Sequence, residues 1–118
     1  MRVFIYGTLK KDGCRGHVLD SEKFIKNINS APKYTLFSVS GQYPALVESE
    51  KAEVEGVAVK GELWDVSDKK MLTLDSIEGT PYLYQRQEIE LEDGSIATTY
   101  VFQRELDGLE NVGDFWEN

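Results

Sequence analysis

The 118-residue chain contains one cysteine, Cys14, and one histidine, His17. A lone thiol excludes an internal disulfide. One thiol and one imidazole among dispersed carboxylates form no metal-ligand pattern, so neither a metal nor another cofactor is expected. Basic residues are also scarce: 13 Lys and Arg stand against 21 Asp and Glu, giving a formal net charge of −8. That sign repels polyanions, and no basic stripe interleaved with aromatics reverses it locally, so no nucleic-acid partner is expected. The span from Lys10 to Lys33 is locally richer in Lys and reads as ordinary solvated surface. No apolar run approaches the ~18 residues of a membrane span, and Val3 to Tyr6 is shorter than the ~7–15-residue core of a signal peptide. A cytoplasmic protein without a membrane partner is therefore expected. Tyr6-Gly7-Thr8-Leu9-Lys10-Lys11 lacks the second Gly and the Lys-Ser/Thr ending of a phosphate-binding loop, which argues against nucleotide hydrolysis.

What the chain does have is a series of short β-type runs punctuated by turn residues. Its length fits one domain. Residues 1–103 are expected to form that domain, with 104–118 an acidic tail of it in which Phe115 and Trp116 are the docking candidates. Arg2 to Tyr6 reads as a buried strand stopping at Gly7. Thr8 to Gly16 reads as a loop, and Val18, Leu19, Phe24 and Ile25 suggest a short helix within His17–Ile25. Tyr34–Val39 and Ala45–Val47 read as strands around the turn Ser40-Gly41-Gln42-Tyr43-Pro44. A long strand is expected from Val54 to Trp64, with Gly56 and Gly61 marking bulges or close approach of another backbone. Ser67 is placed to cap a helix through Ile77, with Met71, Leu74 and Ile77 as its apolar stripe and Glu78 at its end. Tyr84–Leu91 and Ile96–Phe102 flank an Asp93-Gly94 turn and read as a hairpin. Together these elements predict an α+β fold: a small mixed β-barrel or strongly bent sheet with short helices on its rim.

No protein nucleophile is legible, because Cys14 and His17 lie in a charged loop with no third residue to orient the imidazole. Other segments carry more. Val3-Phe4-Ile5-Tyr6-Gly7-Thr8-Leu9 places backbone N–H groups after a Gly turn, a geometry suited to an anion. Leu74 to Arg86 reads Leu-Asp-Ser-Ile-Glu-Gly-Thr-Pro-Tyr-Leu-Tyr-Gln-Arg, with the carboxylate of Glu78 just before a Gly-x-Pro bend. These two segments, with Gly41-Gln42-Tyr43-Pro44, Val54-Glu55-Gly56 and Gly61-Glu62-Leu63-Trp64-Asp65-Val66, resemble the γ-glutamyl cyclotransferase-like family. The resemblance is to the branch containing γ-glutamylamine cyclotransferases, and it runs from about Arg2 to Phe102.

The resemblance implies a barrel-like fold and a reaction that needs no protein nucleophile: the free α-amino group of a γ-glutamyl amine or conjugate attacks its own γ-carbonyl, forming 5-oxoproline and releasing an amine. It implies that Glu78, the match to the family's catalytic Glu, is general base and then general acid. It also implies that Tyr6, Gly7, Thr8 and Leu9 hold the glutamyl carboxylate and that Tyr84 donates its hydroxyl to the substrate or to Glu78. Burial against the apolar stripe would raise the pKa of Glu78 toward that of an α-amino group, near 8, whereas pairing with Arg86 would lower it. Many relatives carry an Asn-His pair where this chain has Arg15-Gly16-His17, so the leaving-group pocket is expected to differ. Two other readings stay open: a catalytically silent small-molecule-binding module of the same fold, and a γ-glutamyl amide hydrolase. Nothing in the sequence specifies an oligomeric state.

Overall fold

The computed structural model describes residues 1–118. Strand β1 (Arg2–Ile5) is followed by a loop with a 3-10 turn at Gly16–Leu19, then β2 (Lys23–Asn29), β3 (Tyr34–Val39), β4 (Tyr43–Glu48) and a one-turn helix α1 (Ser49–Ala52). Next come β5 (Lys60–Asp65), helix α2 (Asp68–Glu78), the hairpin of β6 (Tyr84–Glu90) and β7 (Ile96–Phe102), and β8 (Glu110–Gly113). The strands form a five-stranded sheet in the order β2-β5-β1-β7-β6 and a three-stranded sheet in the order β4-β3-β8. Only the β1–β7 pair is parallel. The outer strands of the larger sheet meet at one end, where Ala31 N–H donates to the Glu90 carbonyl at 2.9 Å and Glu92 N–H to the Asn29 carbonyl at 3.0 Å. The fold is thus α+β, built on curled sheets rather than a closed barrel; of the two shapes expected, the bent sheet is the one found.

The apolar run of β1 is continuous because both of its faces are covered. Val3 and Ile5 enter a core with Phe37, Val47, Trp64, Met71 and Leu74, whereas Phe4 and Tyr6 enter a second core with Leu36, Leu46, Ile89 and Leu91. Strand β3 divides the same way, Phe37 to the first core and Leu36 to the second, so it too is packed on both faces. Helix α2 begins and ends as the sequence predicts. Ser67 Oγ accepts the Lys70 N–H at 3.2 Å, and Gly79, at φ +65°, closes the last turn in the left-handed conformation that glycine adopts without penalty. Met71 and Leu74 are buried and Ile77 half-buried. Each of the two buried side chains stabilises the helix's seat on the sheet by roughly 1.5–3 kcal/mol.

Four expectations need correction or completion. Phe24 and Ile25 belong to strand β2, not to a helix over His17–Ile25, and a bulge between Phe24 and Lys26 disturbs the alternation that would mark the strand. The long strand from Val54 is reduced to β5, with only Val57 making an isolated bridge to Tyr34. The reason lies at Gly56, where a Cβ would stand 2.4 Å from the Pro32 carbonyl oxygen: the backbone is passing another segment, not pairing with one. Gly61 is a close approach inside β5, with a Cβ meeting the Phe4 ring at 2.5 Å. Finally, the acidic tail 104–118 adds a strand of its own, since β8 pairs with β3, and Trp116, one of its two docking candidates, packs against the second core.

Candidate active site

The end of β1 runs into the loop Tyr6–Arg15, which folds back on itself. Lys10 N–H donates to the Gly7 carbonyl at 3.1 Å, and Arg15 N–H to the Thr8 carbonyl at 2.9 Å. Gly7 packs so closely on β4 that a Cβ would lie 2.6 Å from Pro44 Cγ. A Cβ on Gly13 would stand 2.0 Å from the Thr8 carbonyl oxygen, so the return of the loop also requires glycine. The buried carboxylate of Glu62 on β5 anchors the loop from below, accepting the Lys11 N–H at 3.1 Å and the Trp64 indole N–H at 3.0 Å. In this conformation the N–H groups of Gly7, Thr8 and Leu9 donate to no protein carbonyl.

Those residues line a narrow pocket together with Tyr6, Arg15, Tyr43, Glu78 and Tyr84. All six residues singled out from the sequence, Tyr6, Gly7, Thr8, Leu9, Glu78 and Tyr84, therefore converge on one cavity although they come from three separate elements. Cys14 and His17 are exposed and lie outside it, with His17 on a different groove beside Phe24 and Trp64.

Glu78 occupies the last helical position of α2 and is half-buried. Burial pushes its carboxyl up to about 7, with Arg15 pulling the other way. The neighbouring phenols are held protonated: burial, then the charge of Glu78, drives the Tyr84 pKa well up, and burial followed by Tyr84 and Glu78 does the same for Tyr6. Their protons have fixed destinations. Tyr84 Oη donates to the Pro44 carbonyl at 2.6 Å and Tyr6 Oη to the Tyr100 carbonyl at 2.6 Å. Each phenol thus ties one wall of the pocket to another, and what Tyr84 offers the cavity is oxygen lone pairs rather than a free proton.

Arg86 does not pair with Glu78. Its guanidinium forms two bonds to Asp75, at 2.8 and 2.7 Å, and Tyr100 Oη donates to the same carboxylate at 2.7 Å. Asp75 lies one helical turn before Glu78, so this node clamps the end of α2 to the hairpin while keeping the guanidinium away from the half-buried carboxylate. Neither Asp75 nor Tyr100 was among the candidate site residues. The hairpin register that sets Arg86 opposite Tyr100 was the available signal.

A family model described as gamma-glutamyl cyclotransferase, AIG2-like, matches residues 3–117, and the chain belongs to this family. A Vibrio cholerae protein bearing the name "Putative gamma-glutamylcyclotransferase" is 31% identical over 115 residues, covering 96% of this chain and 93% of its own. The zebrafish gamma-glutamylaminecyclotransferase A is 31% identical over 98 residues, which span 78% of this chain and 59% of that protein. Among solved structures, the solution structure of Escherichia coli ytfP superposes with a TM-score of 0.68 at 29% identity, over 98% of this chain and 93% of that one.

Proposed function

We propose that this protein converts a γ-glutamyl amine or related γ-glutamyl conjugate into 5-oxoproline and the free amine. The observation that carries the reading is the placement of a carboxyl group with a pKa near 7 in the same pocket as three backbone N–H groups without protein partners. The N–H groups of Gly7, Thr8 and Leu9 hold the glutamyl α-carboxylate, which an acidic protein otherwise repels. With that end fixed, the chain of the substrate folds so that its α-nitrogen faces its own γ-carbonyl. Orientation of this kind is worth effective molarities of about 10⁵ to 10⁸ M, so the protein needs no nucleophile of its own.

Glu78 takes a proton from the α-ammonium group. With an acceptor near 7 and a donor near 8 the transfer is close to balanced, whereas an ordinary carboxylate near 4.3 would be a poor acceptor. The α-nitrogen then attacks the γ-carbon, the tetrahedral intermediate collapses, and the C–N bond to the leaving group breaks as Glu78 returns a proton to the departing nitrogen. Overall the α-nitrogen sheds two protons and the leaving nitrogen gains two, so none is consumed when the amine departs as its ammonium form. Tyr84, its proton committed to Pro44, accepts from the substrate ammonium and keeps it beside Glu78.

The test is release of 5-oxoproline, detected by mass spectrometry, from a panel of γ-glutamyl amines and dipeptides by the wild type and by Glu78→Gln, which keeps the shape but cannot take the proton. Free glutamate in place of 5-oxoproline would identify an amide hydrolase instead.

A further inference from the structure

We propose, on the cyclotransferase reading above, that Arg15 is a specificity residue selecting conjugates whose leaving amine carries a carboxylate beside the scissile nitrogen, as in a γ-glutamyl α-amino acid. Three observations point to it. First, Arg15 lines the pocket with Glu78 and Tyr84 and is exposed at its rim, whereas Gly7 and Leu9 are buried in the wall. Cyclisation folds the glutamyl unit against the buried N–H groups, so the substituent on the γ-nitrogen must extend toward the mouth, where Arg15 stands. Second, its guanidinium has no partner: the ion pairs of the protein are Met1–Asp65, Lys26–Asp93, Lys33–Glu90, Lys60–Asp114 and Arg86–Asp75. Third, its backbone is fixed, because Arg15 N–H bonds the Thr8 carbonyl, and a Cβ on the following Gly16 would meet the Lys10 carbonyl oxygen at 2.7 Å. The root of the side chain is therefore fixed beside the carboxylate cradle, and its free guanidinium is left to meet a ligand at the mouth.

No other cation lines the cavity. The Lys10 ammonium is turned away to the Trp116 carbonyl at 2.9 Å, and that of Lys11 lies over the Phe24 ring, 3.3 Å from its centre. A planar guanidinium receives a carboxylate through two parallel N–H bonds, which a leaving group ending in ammonium would oppose. Arg15 exchanges no proton in the reaction; the bonds formed and broken are those of cyclisation.

The experiment compares γ-glutamylglycine with γ-glutamylmethylamine, a pair that differs only in the leaving-group carboxylate. The wild type is expected to favour γ-glutamylglycine by about tenfold in kcat/KM, a preference that falls as ionic strength rises. Arg15→Gln is expected to bring the ratio close to one, and Arg15→Lys to keep part of it. Equal use of the two conjugates by the wild type, or a variant that slows both while preserving the ratio, would overturn the assignment. If neither conjugate yields 5-oxoproline, the cyclotransferase reading fails separately, and calorimetric titration of the same two compounds still decides about Arg15. Tighter binding of γ-glutamylglycine that is lost in Arg15→Gln supports it, and equal binding of the two to the wild type refutes it.

Discussion

Replacing Glu78 with Gln should make the protein more stable at alkaline pH and much less so in acid. In the folded state the carboxyl titrates near 7 against an ordinary value of 4.5, with burial as the main cause. Between those two pH values the native chain binds a proton that the unfolded chain has already released, so stability falls as pH rises through the window, and the full penalty is present above about 7. At 1.36 kcal/mol per pKa unit the penalty at pH 8 is roughly 3 kcal/mol, and partial access of solvent to the carboxylate brings it to about 2–3 kcal/mol. At pH 5 it is under about 1 kcal/mol. For a domain this long, 1 kcal/mol moves Tm by about 4 °C, so Glu78→Gln should melt roughly 10 °C higher than the wild type at pH 8 and only a few degrees higher at pH 5. Scanning calorimetry at the two pH values reads this directly. An equal change in Tm at both, or a loss at pH 8, would refute the claim that burial holds this carboxyl near 7. A confirmed gain would show stability given up for a poised base.

Three other perturbations follow from the same geometry. If Glu78 acts as the base, kcat/KM should rise with pH through a limb near 7, and Arg15→Gln should move that limb upward, since the guanidinium favours the ionised carboxylate; a pH–rate profile with no limb between 6 and 8 would contradict this. Asp75→Ala and Arg86→Ala should each destabilise by about 1–3 kcal/mol in urea titrations, with a coupling energy of about 1 kcal/mol or more in a double-mutant cycle, because the pair is bidentate and about two-thirds shielded from solvent. Gly7→Ala would put a methyl group 2.6 Å from Pro44 Cγ, and the shift needed to relieve it should lower kcat/KM at least tenfold while lowering stability by about 1–3 kcal/mol; activity within twofold of wild type would show that the loop tolerates movement.

Local chemistry was what the sequence made legible. Ser67, Gly79 and the Asp93-Gly94 turn fix α2 and the last hairpin through bonds made within a few residues, and each element lies where those signals put it. Gly7 and the residues after it were readable for the same reason, and so was the position of Glu78 at a helix end. What depended on distant partners was hidden. Strand β8 has one half-buried apolar residue, Val112, and owes its form to the open edge of β3. The bulge in β2 masks its alternation, and the broken strand before β5 reflects Pro32 crossing beside Gly56. At the site, the roles of Asp75 and Tyr100 depend on α2 packing over the hairpin, and the fate of the Tyr84 proton depends on a carbonyl of β4. The departure from the family's Asn-His pair marked Arg15 as part of a divergent loop, but only the fold puts it at the mouth of the pocket.

Whether a half-buried Glu78 drives cyclisation of a folded γ-glutamyl substrate is decided by mass-spectrometric measurement of 5-oxoproline from γ-glutamylglycine with the wild type and Glu78→Gln side by side. Steady release by the wild type is expected, with a fall of at least about 10³-fold in the variant, which should still bind 5-oxoproline. Undiminished release by the variant, or no release by a wild type that binds 5-oxoproline, would contradict it.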